Sequence, residues 1–253
     1  MEYIEKIKPI VQKAGDLVMS HFRSDMTIHR KKDHSFATDA DLACEKLLKH
    51  ELEAIIPGSG FIAEESGSQD GNDFIWVIDP VDGTKNFSRG IPYFCISVAL
   101  MEGQEIIAAV IYYPAMNEWF YAQKGFGCWL NGKQVRLDQP KWKEKGALVV
   151  VSDFRIRQSE FLATIKKQSK LAGTYVRFRL YGAAALDLAY AAIGAFDAVL
   201  FENLGWWDAA AGVLLVQEAG GFVGQYDGTM INRELKSLIA GHDEICKMII
   251  SGL

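Results

Sequence analysis

Two sets of apolar residues near the N-terminus recur three or four positions apart, which is the period of an α-helix. The first set is Ile4, Ile7, Val11, Ala14, Val18 and Phe22, and the second is Cys44, Leu47, Leu48, Leu52 and Ile55. This spacing predicts two helices that each bury one face. The polar stretch 29–41 between them predicts a loop or an extended hairpin.

After these helices the apolar residues form short continuous runs, which are typical of strands. The run 74–78 is followed by Asp79 and Pro80, and because proline cannot donate to a sheet, the strand is predicted to end at Asp79. Further runs at 94–101, 106–113 and 119–122, with a turn at Asn131-Gly132, predict an antiparallel meander.

Beyond position 146 strand-like and helix-like segments alternate, which indicates α/β structure. Strands are predicted at 147–151, 175–179, 196–201, 222–226 and 238–240, and helices at 160–171, 183–193, 208–218 and the C-terminus. The charged segment 139–146 is interpreted as the boundary between two halves of the chain. We therefore expect an N-terminal α+β half, 1–145, that carries most metal ligands, and a C-terminal α/β half, 146–253, that recognises the substrate.

The composition narrows the classes of protein to which the chain could belong. With 253 residues and 49% hydrophobic content it can bury a sizeable core. The formal net charge of -5 does not favour a nucleic-acid surface, and the basic runs at 30–32 and 141–145 are interpreted as solvated. The charged N-terminus and the lack of an apolar run of ~20 residues predict neither a secretory leader nor a membrane span. Scattered cysteines at 44, 95, 128 and 246 predict reduced thiols in a cytoplasmic protein.

The segment 79–84, Asp-Pro-Val-Asp-Gly-Thr, places two carboxylates three residues apart. A tight turn there can direct Asp79, Asp82 and the carbonyl group of Val81 toward one point, with the amides of Gly83 and Thr84 facing an anion. Hard oxygen ligands beside amide donors suit a divalent cation that carries a phosphate. An ordinary turn explains these turn-favouring residues equally well.

Other acidic residues stand where predicted elements begin or end. Glu64 and Glu65 follow the apolar run 61–63, where a solvated pair is the simpler explanation. Asp41 precedes the second helix and Asp208 opens a later one, so either could be a helix N-cap. If four of these carboxylates converged, each pair at 4 Å would repel by roughly 4 kcal/mol at an effective dielectric constant of about 20, so cations would be needed.

In order and spacing these elements resemble the inositol monophosphatase superfamily along nearly all of the chain. The matching elements are Thr-x-x-Asp at 38–41, Glu-Glu at 64–65, the segment 79–84, and Trp-Asp-x-Ala-Ala-Gly at 207–212. The resemblance implies an α/β (α+β layered) fold, the αβαβα sandwich of the inositol monophosphatase and fructose-1,6-bisphosphatase type. It also implies a cytoplasmic, lithium-sensitive phosphatase that forms homodimers.

The resemblance further implies a role for individual residues. The metal ligands would be Glu64, Asp79, Val81 through its carbonyl group, Asp82 and Asp208. They would hold two Mg²⁺ ions, with a weaker third on Glu64. Asp41, Thr84 and Glu64 would be catalytic, the Thr84–Asp41 pair orienting and helping to deprotonate a water molecule. The substrate would be bound by Asp82, Gly83, Thr84, Ala183, Ala184, Glu202 and Asp208.

The implied activity is Mg²⁺-dependent hydrolysis of a small phosphorylated polyol, with inositol 1-phosphate as the first expectation. Lys85 stands where inositol phosphatases commonly have threonine, and it resembles relatives that act on histidinol phosphate or 3′-phosphoadenosine 5′-phosphate, although a solvated side chain is the simpler explanation. Asn86-Phe87 and Gly90-Ile91-Pro92 instead resemble the inositol and fructose 1,6-bisphosphate branches, so fructose 1,6-bisphosphate is a further alternative. Some relatives also contact the transcription machinery or RNA, which would be an additional role. A second phosphate could meet one of Arg155, Arg157, Arg177 and Arg179.

Overall fold

Two helices lie at the start of the chain, as the apolar spacing predicts. The structure is a computed structural model that describes residues 1–25, 27–30, 36–137, 146–151 and 176–251. Helix α1 spans Glu2–His21 and helix α2 spans Asp39–Ile55, so both predicted helices are confirmed. Between them strands β1 (Ile28–Arg30) and β2 (Phe36–Thr38) pair antiparallel, which confirms the extended hairpin.

An eight-stranded sheet follows the two helices. Its strands in sheet order are β10 (Lys133–Val135), β9 (Cys128–Leu130), β8 (Glu118–Gln123), β7 (Glu105–Tyr113), β6 (Cys95–Glu102), β5 (Phe74–Asp82), β3 (Gly60–Ala63) and β4 (Gly67–Gln69). From β5 to β10 each strand pairs antiparallel with the next, which confirms the predicted meander.

The strand that carries the acidic segment is longer than its sequence suggests. β5 continues through Pro80 to Asp82, so the prediction that it ends at Asp79 is wrong. The pairing with β6 is irregular between Asp79 and Asp82. Such a bulge already interrupts the ladder of hydrogen bonds, so a proline, which has no backbone N–H to donate, is tolerated there. The short helix α3 (Thr84–Ser88) begins directly after Gly83.

The C-terminal part of the chain contains a five-stranded sheet with helices between its strands, as predicted. Its strands in sheet order are β12 (Val176–Arg179), β11 (Ala147–Val151), β13 (Ala198–Glu202), β15 (Ser237–Gly241) and β14 (Phe222–Gly224). The helices are α4 (Ala184–Ala192), α5 (Trp206–Glu218) and α6 (Asp243–Ile250). The predicted helix 160–171, Arg155, Arg157, the basic run 141–145 and most of the segment 139–146 lie outside the described residues.

Three apolar clusters show how these elements stack into layers. In the first, α1 and α2 cover one face of the eight-stranded sheet. In the second, α4 and α5 fill the space between the two sheets. In the third, α6 covers the outer face of the five-stranded sheet. The order is helix, sheet, helix, sheet, helix, so the predicted αβαβα sandwich is confirmed.

The two helices between the sheets approach each other closely at Gly212 of α5. A Cβ atom at this position would lie 2.3 Å from Cβ of Leu188 in α4. A glycine is therefore needed here for packing, although it is a poor helix former. In the described part of the chain, no helix combines the length and the apolarity that crossing a membrane requires.

Candidate active site

Three aspartates from two distant parts of the chain converge at the end of β5. Asp79 and Asp82 come from the bulged end of the strand, and Asp208 comes from the first turn of α5. One carboxylate oxygen from each lies within 4.8 Å of the other two. Asp79 and Asp82 are only 1% and 5% exposed, so this negative charge is concentrated where water cannot screen it.

The electrostatics of the three aspartates favour a cation. Oδ2 of Asp79 is buried and has no hydrogen-bond partner among the described residues. Burial raises the pKa of Asp79 well above its ordinary value, and the charges of Glu64, Asp82 and Asp208 raise it further. Burial raises the pKa of Asp208 as well, with Asp82 and Glu64 adding to the rise. A divalent cation would offset this repulsion, and carboxylate oxygens are the ligands that Mg²⁺ prefers. The residues present therefore fit such an ion.

Asp82 is fixed by backbone amides from the start of α4. Its Oδ1 accepts a hydrogen bond from the amide of Ala184 at 2.9 Å, and its Oδ2 accepts one from Leu186 at 3.1 Å. Burial raises the pKa of Asp82 to about 6, and the amide hydrogen bonds oppose this rise. The resemblance implies that Ala184 contacts the substrate, and in this structure its backbone amide is occupied by Asp82.

Asp41 and Asp208 both occupy the third position of a helix. Oδ2 of Asp41 accepts a hydrogen bond from the amide of Thr38 at 2.8 Å, and Oδ2 of Asp208 accepts one from Gly205 at 2.8 Å. The alternative that either aspartate is itself an N-cap is therefore wrong, because Thr38 and Gly205 hold that position. In this arrangement one oxygen caps the helix and the other can take part in the site.

The hydroxyl group of Thr84 lies between the acidic strand and Asp41. It is 3.1 Å from Oδ1 of Asp41 and 3.0 Å from the carbonyl oxygen of Val81. Asp41 is fully buried, and burial raises its pKa, although hydrogen bonds from Thr38 oppose the rise. A carboxylate with a raised proton affinity beside a hydroxyl group can accept a proton. The structure thus brings together the predicted Thr84–Asp41 pair.

Glu64 is the first residue after β3 and joins the same electrostatic cluster. Its amide donates to the carbonyl oxygen of Ile78 at 3.3 Å, which places it beside the residue that precedes Asp79. The charge of Glu64 raises the pKa of both Asp79 and Asp208. Glu64 therefore lies near enough to Asp79 and Asp208 for its charge to act on both, although it is not one of the three carboxylates within 4.8 Å of one another.

A pocket of about 500 Å³ opens beside the carboxylates. The predicted site residues that line it are Glu64, Asp82, Gly83, Thr84, Ala183, Ala184 and Glu202. Gly83 has a φ of 89°, and a Cβ atom there would lie 2.9 Å from the carbonyl oxygen of Tyr93, so glycine is required. Because Glu202 stands at the end of β13, one ligand in this pocket could contact both sheets.

Two further pocket residues, Asn86 and Asp187, have roles that the sequence did not indicate. Asn86 donates to the carbonyl oxygens of Tyr93 and Tyr181 at 2.9 and 2.7 Å, which joins α3 to the segment before α4. The hydroxyl group of Tyr93 donates to Asp187 at 2.6 Å, and Asp187 is only 1% exposed. A single acidic residue in the otherwise apolar sequence of α4 is the signal that could have identified Asp187.

Two basic residues of the described chain line the pocket, and they are not the arginines that the sequence suggested. Lys85 lies in α3, and Arg89 directly follows the last residue of that helix. Arg177 and Arg179 lie on β12 and do not line this pocket. If the substrate carries a second anionic group, Lys85 and Arg89 are the basic residues in the described part of the chain that could meet it.

Comparison with known proteins shows the family to which the chain belongs. The sequence model of the inositol monophosphatase family matches residues 1–251 of this chain. The chain belongs to the inositol monophosphatase family. It is therefore a phosphatase of this superfamily, and its layered fold is the one found in family members.

The relatives within the family carry different names. The Nus factor SuhB of Xylella fastidiosa is 37% identical over 241 residues, which cover 92% of this chain and 87% of that protein. The fructose-1,6-bisphosphatase/inositol-1-monophosphatase of Thermotoga maritima is 32% identical over 247 residues, which cover 95% of this chain and 93% of that protein. The crystal structure of the extragenic suppressor protein suhB from Bartonella henselae matches with a TM-score of 0.90 at 31% identity, covering 100% of this chain and 98% of that chain.

Proposed function

We propose that this protein is a Mg²⁺-dependent phosphomonoesterase that hydrolyses a small phosphorylated polyol, with inositol 1-phosphate as the preferred substrate. The observation that carries the proposal is the convergence of Asp79, Asp82 and Asp208 beside the Thr84–Asp41 pair and an open pocket. Family membership supports phosphate-ester hydrolysis. The four buried, unpaired cysteines fit a reducing compartment such as the cytoplasm.

The chemistry depends on which residues hold the cation. We assign this role to Glu64, Asp79, the carbonyl group of Val81, Asp82 and Asp208, which would hold two ions, or three if Glu64 binds another. When bound, Mg²⁺ supplies Lewis acidity, which activates water and offsets charge on the phosphoryl group. The buried Oδ2 of Asp79 supports this assignment, because no described residue donates a hydrogen bond to this oxygen and it is therefore available to a cation.

The attacking water is held and deprotonated by residues of this chain. The hydroxyl group of Thr84 accepts a hydrogen bond from the water and donates its own proton to Asp41, so that a proton can pass from water to the carboxylate. Glu64 accepts a second hydrogen bond and fixes the direction of attack. The water oxygen forms a bond to phosphorus while the phosphorus–oxygen bond to the alcohol breaks.

The phosphate and the leaving alcohol are bound on the pocket side. The amides of Gly83 and Thr84 hold phosphate oxygens. Asp208 orients the water that gives its proton to the departing alkoxide. Ala183 and Ala184 leave room for the alcohol, and Glu202 accepts hydrogen bonds from its hydroxyl groups.

Phosphate release tests this proposal directly. Inositol 1-phosphate, fructose 1,6-bisphosphate, histidinol phosphate and 3′-phosphoadenosine 5′-phosphate would each be assayed with and without Mg²⁺. We expect Mg²⁺-dependent release, fastest with inositol 1-phosphate, and a loss of at least about 100-fold in Asp82→Asn. Asp73→Asn is the matched control, since Asp73 is exposed and precedes β5 at its other end. Full activity in Asp82→Asn would overturn the site assignment.

A bisphosphate is the second candidate substrate, because Lys85 and Arg89 line the pocket. A charge-assisted hydrogen bond contributes about 1.5–3 kcal/mol, so losing one would raise the KM for a bisphosphate by about 10-fold or more. We would compare Lys85→Met and Arg89→Met on fructose 1,6-bisphosphate and inositol 1-phosphate. A selective rise in the KM of the bisphosphate would favour this candidate, and an equal change with both substrates would exclude it.

Two further properties are proposed from the family resemblance. We expect inhibition by Li⁺ in the same assay, and a homodimer in solution. Light scattering would give about twice the monomer mass of 28.2 kDa if the chain forms a homodimer. With a net charge of -5, a small-molecule substrate suits this chain better than a nucleic-acid partner.

A further inference from the structure

Helix α2 contacts two of the segments that bring acidic residues into the site. In its first turn, Asp41 accepts a hydrogen bond from Thr84, which follows β5. One turn later, Glu45 accepts hydrogen bonds from the amides of Glu65 and Ser66 at 2.8 and 3.0 Å. α2 therefore links the end of β5 to the turn after β3, which carries Glu64.

Glu45 is a buried acid that the proposed reaction does not use. It is only 4% exposed, and Asp41 is the only other buried acidic residue of α2. A buried carboxylate is costly unless hydrogen bonds satisfy it. Here each of its two oxygens accepts a hydrogen bond from a backbone amide, one from that of Glu65 and the other from that of Ser66. This pairing holds the two residues after Glu64 at a fixed distance from α2.

The turn is held from its other side by β5. The amide of Glu64 donates to the carbonyl oxygen of Ile78, the residue before Asp79, but at 3.3 Å this bond is long. The charge-assisted bonds to Glu45 are shorter and stronger. Glu45 is thus the stronger of these two restraints on the backbone that carries Glu64.

We infer that Glu45 is a positioning residue, which sets Glu64 relative to Asp79 and so determines how tightly the site binds a divalent cation. This inference rests on the proposed function in one respect, namely that Glu64 is a cation ligand. Residues that orient metal ligands typically change metal affinity by 10–100-fold when they are mutated. Glu45 would act indirectly, through the backbone of Glu65 and Ser66, and it is not among the residues that line the proposed substrate pocket.

Glu45→Gln tests the inference with little change in volume. A glutamine side chain has one acceptor oxygen, and its NH₂ group would face the second backbone amide, so one of the two bonds is lost. Lys49→Met is the matched control, because half-buried Lys49 lies one turn further along α2 and donates to the side chain of Ser66 at 3.0 Å. Both variants alter contacts between α2 and the same turn, but only the first releases its backbone.

Two measurements would be made on the full chain. The first is the rise in Tm on titration with Mg²⁺ without substrate, starting from protein in EDTA. The second is phosphate release as a function of Mg²⁺, analysed for the half-saturating concentration and for kcat. We expect Glu45→Gln to raise the half-saturating concentration about 10-fold in both measurements, with kcat restored at high Mg²⁺, and Lys49→Met to resemble the wild type.

The outcomes separate this inference from the proposed function. A Glu45→Gln protein with a lower Tm in EDTA but an unchanged Mg²⁺ dependence would show that Glu45 is only structural and would overturn the inference. A wild type that is stabilised by Mg²⁺ but releases no phosphate would overturn the proposed function, while the Tm titration would still test Glu45. A wild type that Mg²⁺ does not stabilise would overturn the inference. If Glu45→Gln does not fold, Glu45→Asp, which keeps both acceptors on a shorter side chain, should give a smaller shift in the same direction, and an unchanged titration would overturn the inference.

Discussion

The hydroxyl oxygen of Thr84 lies 3.1 Å from Oδ1 of Asp41 and 3.0 Å from the carbonyl oxygen of Val81. A hydroxyl group has one proton, so it can donate to only one of these acceptors at a time. If a cation takes the Val81 carbonyl, the proton of Thr84 is directed to Asp41. Cation binding and the orientation of the proposed proton acceptor would then be coupled through one side chain.

Thr84→Ala should lower kcat by about 10²–10⁴-fold, the usual contribution of general acid–base catalysis. The half-saturating Mg²⁺ concentration should change little, because the side chain of Thr84 is not an assigned ligand. Thr84→Ser keeps the hydroxyl group and is the control, with activity expected within several-fold of the wild type. Steady-state kinetics with inositol 1-phosphate checks this, and equal losses in the two variants would contradict the role of the hydroxyl group.

Asp79→Asn should stabilise the metal-free protein. The change removes one buried charge that faces Glu64, Asp82 and Asp208, while the amide of Val81 can still donate to Oδ1. Repulsion of this kind is on the order of 1–4 kcal/mol, so Tm in EDTA should rise by several degrees. Addition of Mg²⁺ should raise the Tm of the wild type and leave the variant nearly unchanged. A lower Tm in EDTA for Asp79→Asn would argue against electrostatic strain at this position.

Gly212→Ala should destabilise the protein even though alanine is the better helix former. The new Cβ atom would meet Cβ of Leu188 at 2.3 Å, so α4 and α5 would have to separate. Overpacking of this kind costs about 1–3 kcal/mol, against a gain of about 1 kcal/mol from helix propensity. Thermal unfolding should show a decrease in Tm of a few degrees. An unchanged or higher Tm would mean that the two helices can move apart freely.

The four thiols should react only when the protein unfolds. All four cysteines are buried, and burial raises the pKa of Cys128 to about 12. Because the pKa of Cys128 is higher in the folded state than in the unfolded state, its neutral thiol stabilises the folded state fully below about pH 9. This stabilisation is lost as the pH rises toward 12. At pH 8 a thiol reagent should therefore modify the native protein slowly and the urea-unfolded protein at all four positions. Fast modification of the native protein would contradict the burial.

Local patterns in the sequence determined most of the secondary structure. The apolar spacing in α1 and α2, and the runs that became β6, β7 and β8, are periodic signals that neighbouring residues carry by themselves. The acidic segment 79–84 was recognisable for the same reason. The αβαβα layering was expected only through the family resemblance. A local sequence pattern does not indicate that two helices pack between two sheets, or which face of each sheet they contact.

Tertiary structure decided the geometry that the chemistry needs. The bulge that lets β5 run through Pro80 depends on pairing with β6, and the amides that fix Asp82 come from α4. The positions of Asp187 and Glu45 likewise became clear only from their partners, Tyr93 and the turn after Glu64. Periodicity is a property of adjacent residues, whereas a buried carboxylate is defined by what surrounds it. The sequence by itself therefore determined the elements and the candidate acids, and only packing between distant segments decided which acids meet and what holds them in place.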